Sequence, residues 1–281
     1  MDPIQLEAIL ADLPLGEVRY YDSVGSSNDE AARWAAQGAP ELALVVADEQ
    51  TSGRGRAGRH WYTLRGAALA FSIVTYPKIE DLNNVSRLTA LGALAVCETL
   101  INSYHLSAKI KWPNDVLAGE KKVAGILAEA QWTGDTLSSL ILGTGINVAP
   151  ASVEDALAHE GVLNFPSTCV ESEMGRAVDR MELLHDVLAS ILHWRLRLST
   201  PDFLQAWEAN LAYHQEWVQV IPVGNIDERS LTSENAPARF QEGQVIGLSN
   251  DGSLKLRTRT GEIMTLQFGE VRLRPVNFTH S

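Results

Sequence analysis

The sequence has 281 residues, of which 45% are hydrophobic, and its formal net charge is −12 from 35 acidic and 23 basic residues. This length predicts one large domain with a smaller one, and the acidic balance argues against a general polyanion-binding surface. The two cysteines, Cys97 and Cys169, lie far apart and match no metal-ligand spacing, which indicates a reducing, cytoplasmic setting. No apolar run approaches the roughly 20 residues that span a bilayer, so we expect a soluble, unexported protein.

Predicted helices and strands alternate along the first half of the chain. Apolar residues recur at helical spacing after Pro3 and again over 81–106, where the pattern lasts about seven turns. Between them, small polar residues at the start and Gly38 at the end mark a third helix. The pattern predicts helices over 3–13, 26–38 and 81–106, and strands over 17–24, 41–50, 66–76, 108–112, 122–132 and 137–148.

The second half of the chain changes character near Glu216. Helical periodicity dominates 153–213, most clearly over 181–198. From 243 to 275 apolar and polar residues alternate between turn signals at Asn250-Asp251-Gly252 and Thr260-Gly261. The sequence therefore predicts a large domain over 1–216 and a small all-β domain over 217–281.

The loop EQTSGRGRAGRHWY, residues 49–62, contains the spacing G-x-G-x-x-G. A dinucleotide-binding fingerprint requires its glycines to open a helix, but a strand pattern follows this loop. A Walker phosphate-binding loop is excluded as well, because no G-K-[ST] follows. The glycines therefore serve another purpose.

Arg54, Arg56 and Arg59 alternate with these glycines. Guanidinium groups bind carboxylate and phosphate in a bidentate manner, and successive exposed N–H groups form an anion-binding nest. Because three arginines on one loop repel each other without an anion, we expect the loop to be mobile when empty and ordered when loaded. A solvated surface loop and an arginine–glycine RNA-binding segment are the alternatives.

The segment KWPNDVLAGEKKVAGILAE, residues 111–129, is the second candidate region. Pro113 ends a strand, Asn114 and Asp115 occupy a turn, and LAGEKK returns the chain as a hairpin. Lys122 lies at the start of an apolar strand, where its ammonium group needs an anion. A hairpin with ordinary polar turn residues is the alternative.

Two shorter patterns complete the candidate site. In LGTGINV an apolar strand ends in Gly143 and Gly145 with Asn147 just beyond, which indicates close approach of the backbone to a ligand or to another strand. In SVGSSNDEAARW, residues 23–34, the polar side chains are either a helix cap or partners for a small polar ligand. Those side chains are Ser26, Ser27 and Asn28.

In this order and spacing, the four stretches resemble the biotin protein ligases. GRGRAGRHW and KWPNDV…KKVAGILAE carry most of the resemblance, which runs from about Val18 to Arg274. It implies the short class of that family, without the amino-terminal DNA-binding domain of some members. The implied fold is α+β: a class II synthetase-like catalytic domain with a mixed sheet, followed by a small SH3-like β-barrel.

The resemblance also implies a reaction in two steps. Biotin and ATP give biotinyl-5'-adenylate and pyrophosphate, with Mg²⁺ as cofactor, and the activated biotin then passes to one lysine of a biotin carboxyl carrier protein of a carboxylase. We expect no nucleic-acid or membrane partner, and a monomer or weak homodimer. A lipoate-type adenylating ligase and a non-catalytic biotin-binding sensor are the rival functions.

The resemblance further implies which residues hold biotin. The ureido ring is expected to contact small polar side chains and one glutamine, namely Ser26, Ser27, Asn28 and Gln50. The loop is expected to close over biotin and the phosphate through Arg54, Gly55 and Arg56.

It likewise implies the catalytic and nucleotide-binding residues. Lys122 is expected to neutralise the biotin carboxylate and phosphate oxygens, aided by Arg56, and its spacing to VAGILAE favours it over Lys121. Asp115 is expected to bind magnesium. Trp61 is expected to form an apolar wall near the adenine. The remaining residues expected against biotin or the adenylate are Arg59, Asn114, Gly125, Gly143, Gly145 and Asn147.

Overall fold

The computed structural model describes residues 1–76, 85–161, 165–222, 241–267 and 271–276. A seven-stranded sheet with the order β1-β2-β3-β7-β6-β5-β4 forms the centre of the larger part. β1 pairs with β2 in parallel, and the other neighbouring strands pair antiparallel, so the predicted mixed sheet is confirmed. The strands are β1 Val18–Tyr21, β2 Leu44–Ala47, β3 Ala68–Thr75, β4 Ala108–Lys111, β5 Asp115–Ala118, β6 Lys121–Thr133 and β7 Thr136–Asn147.

Helices cover both faces of this sheet. Successive side chains of β2 point to opposite faces of the sheet, and both faces are apolar. Leu44 and Val46 point into the main core, and Val45 points into a second core on the opposite face. The helices are α1 Pro3–Leu10, α2 Ser27–Ala36, α3 Val85–Asn102, α4 Pro150–Glu160, α5 Val170–Met174, α6 Arg180–Arg195 and α7 Pro201–Ala209. α3 and α6 pack in the main core, whereas α2 covers the second core with Ala31 and Trp34.

A second, five-stranded antiparallel sheet has the order β11-β10-β9-β8-β12. The predicted turns at 250–252 and 260–261 connect its neighbouring strands, so the strand-turn pattern predicted over 243–275 is confirmed among the described residues. The strands are β8 Trp217–Pro222, β9 Gln241–Leu248, β10 Leu254–Arg257, β11 Ile263–Leu266 and β12 Val271–Pro275. Among the described residues, no helix combines the length and apolarity needed to cross a membrane.

Several element boundaries differ from the sequence-based prediction, as three examples show. Asp115 was placed in a turn, but it is the first residue of β5, a strand of four residues that the hydrophobic pattern missed. α1 ends at Leu10 rather than at residue 13. The helix predicted over 81–106 is described from Val85 to Asn102, and residues 81–84 lie outside the described part of the chain.

Candidate active site

One cavity lies on the α2 side of the large sheet. Its walls come from the start of α2, the arginine loop (residues 49–62), residues 111–115, β6, β7 and α4. Phe165, Ser167 and Arg274 of β12 complete the lining. Every side chain or glycine predicted for the site lines this cavity: Ser26, Ser27, Asn28, Gln50, Arg54, Gly55, Arg56, Arg59, Trp61, Asn114, Asp115, Lys122, Gly125, Gly143, Gly145 and Asn147. Residues that lie far apart in the sequence thus converge on one place.

The start of α2 forms a neutral polar end of the cavity. Ser26 occupies the N-cap position, but its side chain makes no cap hydrogen bond, and Ser27 and Asn28 are already helical. The Ser27 backbone N–H and hydroxyl donate to Gln50 Oε1 at 2.8 and 3.0 Å. Gln50 Nε2 in turn donates to Thr63 Oγ1 at 2.9 Å. Helix capping by side chains therefore does not account for these polar residues.

Asn28 is held from two sides. Its Oδ1 accepts from Ser72 Oγ at 2.6 Å, and its Nδ2 donates to Glu129 Oε2 at 2.6 Å and to the Leu127 carbonyl at 3.3 Å. The amide lies over Gly143, where a Cβ would stand 2.1 Å from Oδ1. Gly143 is therefore required by Asn28, a neighbour that the sequence pattern did not indicate.

The floor of the cavity is a row of alternate residues on β7. Gly143, Gly145 and Asn147 share one face, and two-residue steps along a strand put the first and last about 13 Å apart. Gly145 pairs with Gly125 of β6, and the indole of Trp61 lies against both glycines. A Cβ on Gly145 would stand 2.3 Å from that indole. Trp61 thus lies between the polar end and Lys122, whose Nζ is 5.4 Å from the ring.

Lysines surround a buried carboxylate at the other end of the cavity. Lys122 Nζ lies 2.7 Å from Asp115 Oδ1, and Lys111 Nζ lies 3.6 Å from Asp115 Oδ2. Burial opposes ionisation of Asp115, but the two ammonium groups hold its pKa well below the usual range. Burial lowers the pKa of Lys111 to about 8, against the opposing effect of Asp115. Lys111 also lies 4.2 Å from the ring of Phe165.

The two adjacent lysines have different surroundings. The Lys121 side chain is 57% exposed, and its Nζ lies 3.9 Å from Glu173 Oε1. The Lys122 side chain is 19% exposed and lines the cavity. Backbone hydrogen bonds of 2.8 Å from Lys122 N to the Pro166 carbonyl and from Thr168 N to the Lys122 carbonyl fix this position. The structure therefore places Lys122, as expected, in the candidate site.

The three loop arginines have different surroundings. Arg56 donates to Asn114 Oδ1 at 3.1 Å, and burial lowers its pKa. Arg59 Nε donates to the Arg56 carbonyl at 3.2 Å. Arg54 instead forms ion pairs with Asp29 at 2.5 Å and with Glu129 at 2.8 Å. Protein carboxylates thus already supply an anion to Arg54, which corrects the assumption that all three arginines repel each other until a ligand binds.

Asp115 does not fit the expected role of a magnesium ligand. Two ammonium groups already neutralise its carboxylate, and a hard divalent cation would have to displace them. Among the described residues, no group of three or more His, Cys, Asp or Glu side chains could hold a metal ion. A magnesium ion coordinated by phosphate oxygens and water fits this site better than one coordinated by protein side chains.

Several lining or supporting residues were missed by the sequence reasoning. Lys111 is the clearest, because it lies in an apolar strand pattern just as Lys122 does. Ser72 and Glu129 support Asn28, and Phe165 and Arg274 close the lysine end of the cavity. Nothing in the sequence indicated these four residues, since their partners lie far away along the chain.

Comparison with known proteins identifies the family. Residues 23–147 match the family model described as the biotin/lipoate A/B protein ligase family. The chain is 34% identical over 241 residues to the biotin–[acetyl-CoA-carboxylase] ligase of Paracoccus denitrificans, covering 84% of this chain and 92% of that protein. The chain belongs to the biotin/lipoate A/B protein ligase family.

Other known proteins match the chain over different lengths. The bifunctional ligase/repressor BirA of Bacillus spizizenii is 37% identical over 169 residues, which are 60% of this chain and 50% of that protein. The match thus spans about half the length of that relative. The biotin protein ligase from Aquifex aeolicus, solved in complex with biotin and ATP, has 28% identity and a TM-score of 0.72 and covers 92% of this chain and 99% of its own. The predicted fold and the resemblance to biotin protein ligases are confirmed.

Proposed function

We propose that this chain activates biotin with ATP and transfers it to a lysine of a biotin carboxyl carrier protein. One observation carries the proposal: a single cavity joins a neutral hydrogen-bonding end at Ser27 and Asn28 to a lysine and arginine end at Lys122. Biotin has the matching polarity, because its ureido ring is neutral and its carboxylate is charged. The relatives named as biotin ligases support the same conclusion.

The first step brings two anions together. The biotin carboxylate oxygen attacks the α-phosphorus of ATP, an O–P bond forms, and pyrophosphate leaves with the electrons of the broken P–O bond. Repulsion between carboxylate and triphosphate opposes this approach, so cationic groups fixed in place lower the barrier. Lys122 and Arg56 are assigned that role, with Arg59 at the adenylate. Magnesium, brought by the nucleotide, would neutralise charge on the phosphates.

Asp115 has a supporting role in this proposal. Its carboxylate lies 2.7 Å from Lys122 and 3.6 Å from Lys111, so it keeps two ammonium groups together that would otherwise repel each other. A lysine held this way needs no rearrangement when substrate charge develops, which is the main requirement for electrostatic catalysis. Lys122 and Lys111 thereby provide a preformed cationic end, and Asp115 positions them.

The second step forms an amide. The amine of the carrier lysine attacks the acyl carbon, a C–N bond forms, AMP leaves with the electrons of the C–O bond, and the amine loses a proton. Water competes for the same acyl carbon, so the loop over 53–59 is assigned the role of covering the adenylate until the carrier arrives. The two domains proposed, 1–216 and 217–281, both contribute, since Arg274 of β12 lines the cavity.

A cytoplasmic location is part of the proposal. Cys97 and Cys169 are both buried and free, which fits a compartment that keeps thiols reduced. The named acetyl-CoA-carboxylase ligases among the relatives suggest that the acceptor is the carrier protein of such a carboxylase. The acceptor and the location are separate from the adenylation chemistry and need their own tests.

ATP–pyrophosphate exchange on the purified full chain tests the first step. The reaction is run with biotin, with lipoate and without an added acid. We expect exchange with biotin and none in the other two reactions. Exchange with lipoate alone would assign the chain to the lipoate ligases, and biotin binding without any exchange would make it a sensor.

A further inference from the structure

The Glu129 carboxylate on β6 contacts two parts of the candidate site at once. Glu129 Oε2 accepts a hydrogen bond from Asn28 Nδ2 at 2.6 Å and lies 2.8 Å from Arg54 Nη2. Glu129 Oε1 lies 3.0 Å from the same Arg54 nitrogen. Asn28 is the second residue of α2 and Arg54 belongs to the arginine loop, so one carboxylate connects a helix, a loop and a strand.

Glu129 also determines which way the Asn28 amide points. Carboxylate and carbonyl oxygens only accept hydrogen bonds, so the NH₂ group of Asn28 has to face Glu129 and the Leu127 carbonyl. The Asn28 amide oxygen then faces Ser72, and the hydrogen bond from the Ser72 hydroxyl occupies one of the two lone pairs of that amide oxygen. Within the described part of the chain, these contacts use both N–H groups of the Asn28 amide. They leave one lone pair of Oδ1 to accept a hydrogen bond from a ligand. An N–H group, such as a ureido N–H, matches that acceptor.

The contact with Arg54 fixes the base of the arginine loop. Arg54 pairs with His60 across the loop, and Trp61 N donates to the Gly53 carbonyl at 2.9 Å. A Cβ on Gly53 would stand 2.3 Å from the Trp61 carbonyl oxygen, so the two backbone segments at this base are closely packed as well as hydrogen-bonded. The backbone at Arg54 is thereby connected to the backbone that carries Trp61 over Gly145.

We propose that Glu129 is a positioning residue that couples occupation of the Asn28 end of the cavity to the placement of the arginine loop. The inference rests on the proposed function for the identity of the ligand, biotin, but not for the contacts themselves. Asn28 and Arg54 share one carboxylate, so a ligand that depends on the Asn28 orientation also favours the Arg54 ion pair. Coupling of this kind is reciprocal, because each event stabilises the other by the same free energy.

Three variants separate this role from a general loss of charge. Glu129→Gln keeps the shape, but the new amide can donate as well as accept, so residue 129 no longer fixes the Asn28 amide, and the Arg54 ion pair is weakened. Asp29→Asn weakens only the other ion pair of Arg54 and leaves Glu129 with Asn28. Glu30→Gln is the matched control. Glu30 is the α2 residue next to Asp29, and the substitution also removes one negative charge, from an ion pair with Arg33. Thermal unfolding midpoints establish that each variant is folded.

Two measurements are made on each variant. Biotin dissociation constants come from isothermal titration, and limited trypsin digestion followed by mass spectrometry gives the cleavage rate after Arg54, Arg56 and Arg59, with and without saturating biotin. For Glu129→Gln we expect biotin binding about tenfold weaker or more, because a charge-assisted hydrogen bond is lost. We also expect faster loop cleavage that biotin no longer suppresses. Asp29→Asn should speed cleavage but retain biotin affinity within about threefold, the range of a surface ion pair.

The outcomes distinguish this inference from the proposed function. A wild-type chain that binds no biotin would overturn the function. Normal biotin affinity in Glu129→Gln, or weakened affinity with loop cleavage unchanged and still suppressed by saturating biotin, would overturn the coupling while leaving the function in place. Loss of both properties in Glu30→Gln as well would show a non-specific charge effect and would also contradict it.

Discussion

Replacing Lys122 by methionine removes one ammonium group from the cavity and keeps most of the side-chain volume. Its neighbour Lys121 provides a matched control, because its side chain is 57% exposed. Lys121→Met removes the same charge one position away in the sequence. Lys122 faces the cavity 2.7 Å from Asp115. The two variants therefore have identical composition, but only Lys122→Met is expected to impair adenylate formation.

The size of the effect follows from charge and burial. Loss of one preorganised group that faces developing charge reduces the rate about 10²- to 10³-fold, or roughly 3–4 kcal/mol. The variant also leaves the Asp115 carboxylate with Lys111 alone, at 3.6 Å. We expect a stability loss of about 1–3 kcal/mol, as for a buried group that loses one hydrogen-bond partner, and less than for a fully broken buried pair.

Biotin-dependent ATP–pyrophosphate exchange measures the activity, and urea unfolding measures the stability. Exchange by Lys122→Met should fall below about 1% of wild type at temperatures where the variant remains folded. Lys121→Met should match wild type in both assays. Exchange by Lys122→Met within a few-fold of wild type would refute the electrostatic role that we assign to Lys122.

Three further predictions concern the rest of the cavity. Gly145→Ala adds a methyl group 2.3 Å from the Trp61 indole and should raise the KM for biotin at least tenfold, whereas Gly25→Ala, which has nothing within 4 Å, should not. Arg56→Gly should release activated biotin to solvent and increase labelling of bystander proteins; unchanged labelling would contradict its retaining role. Because the pKa of Lys111 is lowered to about 8, its positive charge is lost as pH rises through that value, so the KM for ATP should increase above about pH 8. Lys111→Arg should remove that increase, since guanidinium stays charged.

The site was predictable from sequence where one residue type implied one kind of chemistry. Arg56 and Lys122 are cationic residues in glycine-rich or apolar surroundings, and both line the cavity as expected. The same reasoning applied to Lys111 would have found it as well. β5 was missed for a different reason: a strand of four residues directly after a turn is too short to show alternation.

Long-range partners were not predictable from the sequence. Arg54 and Glu129 lie 75 positions apart, and the tertiary fold brings this carboxylate of β6 beside the loop. Gly143 was expected to make room for a ligand, but the Asn28 amide occupies the space above it. Local sequence patterns indicate which kind of group a residue can bind, whereas tertiary packing decides which residues it contacts in the folded chain.

Diffraction from crystals of the full chain grown with biotin and ATP tests the central claim most directly. We predict biotinyl-adenylate in the cavity, with its ureido ring against Ser27, Asn28 and Gln50 and its phosphate within hydrogen-bonding distance of Lys122. An adenylate bound in the reverse direction, or elsewhere on the chain, would contradict the assignment of the cavity and of the residues at both of its ends.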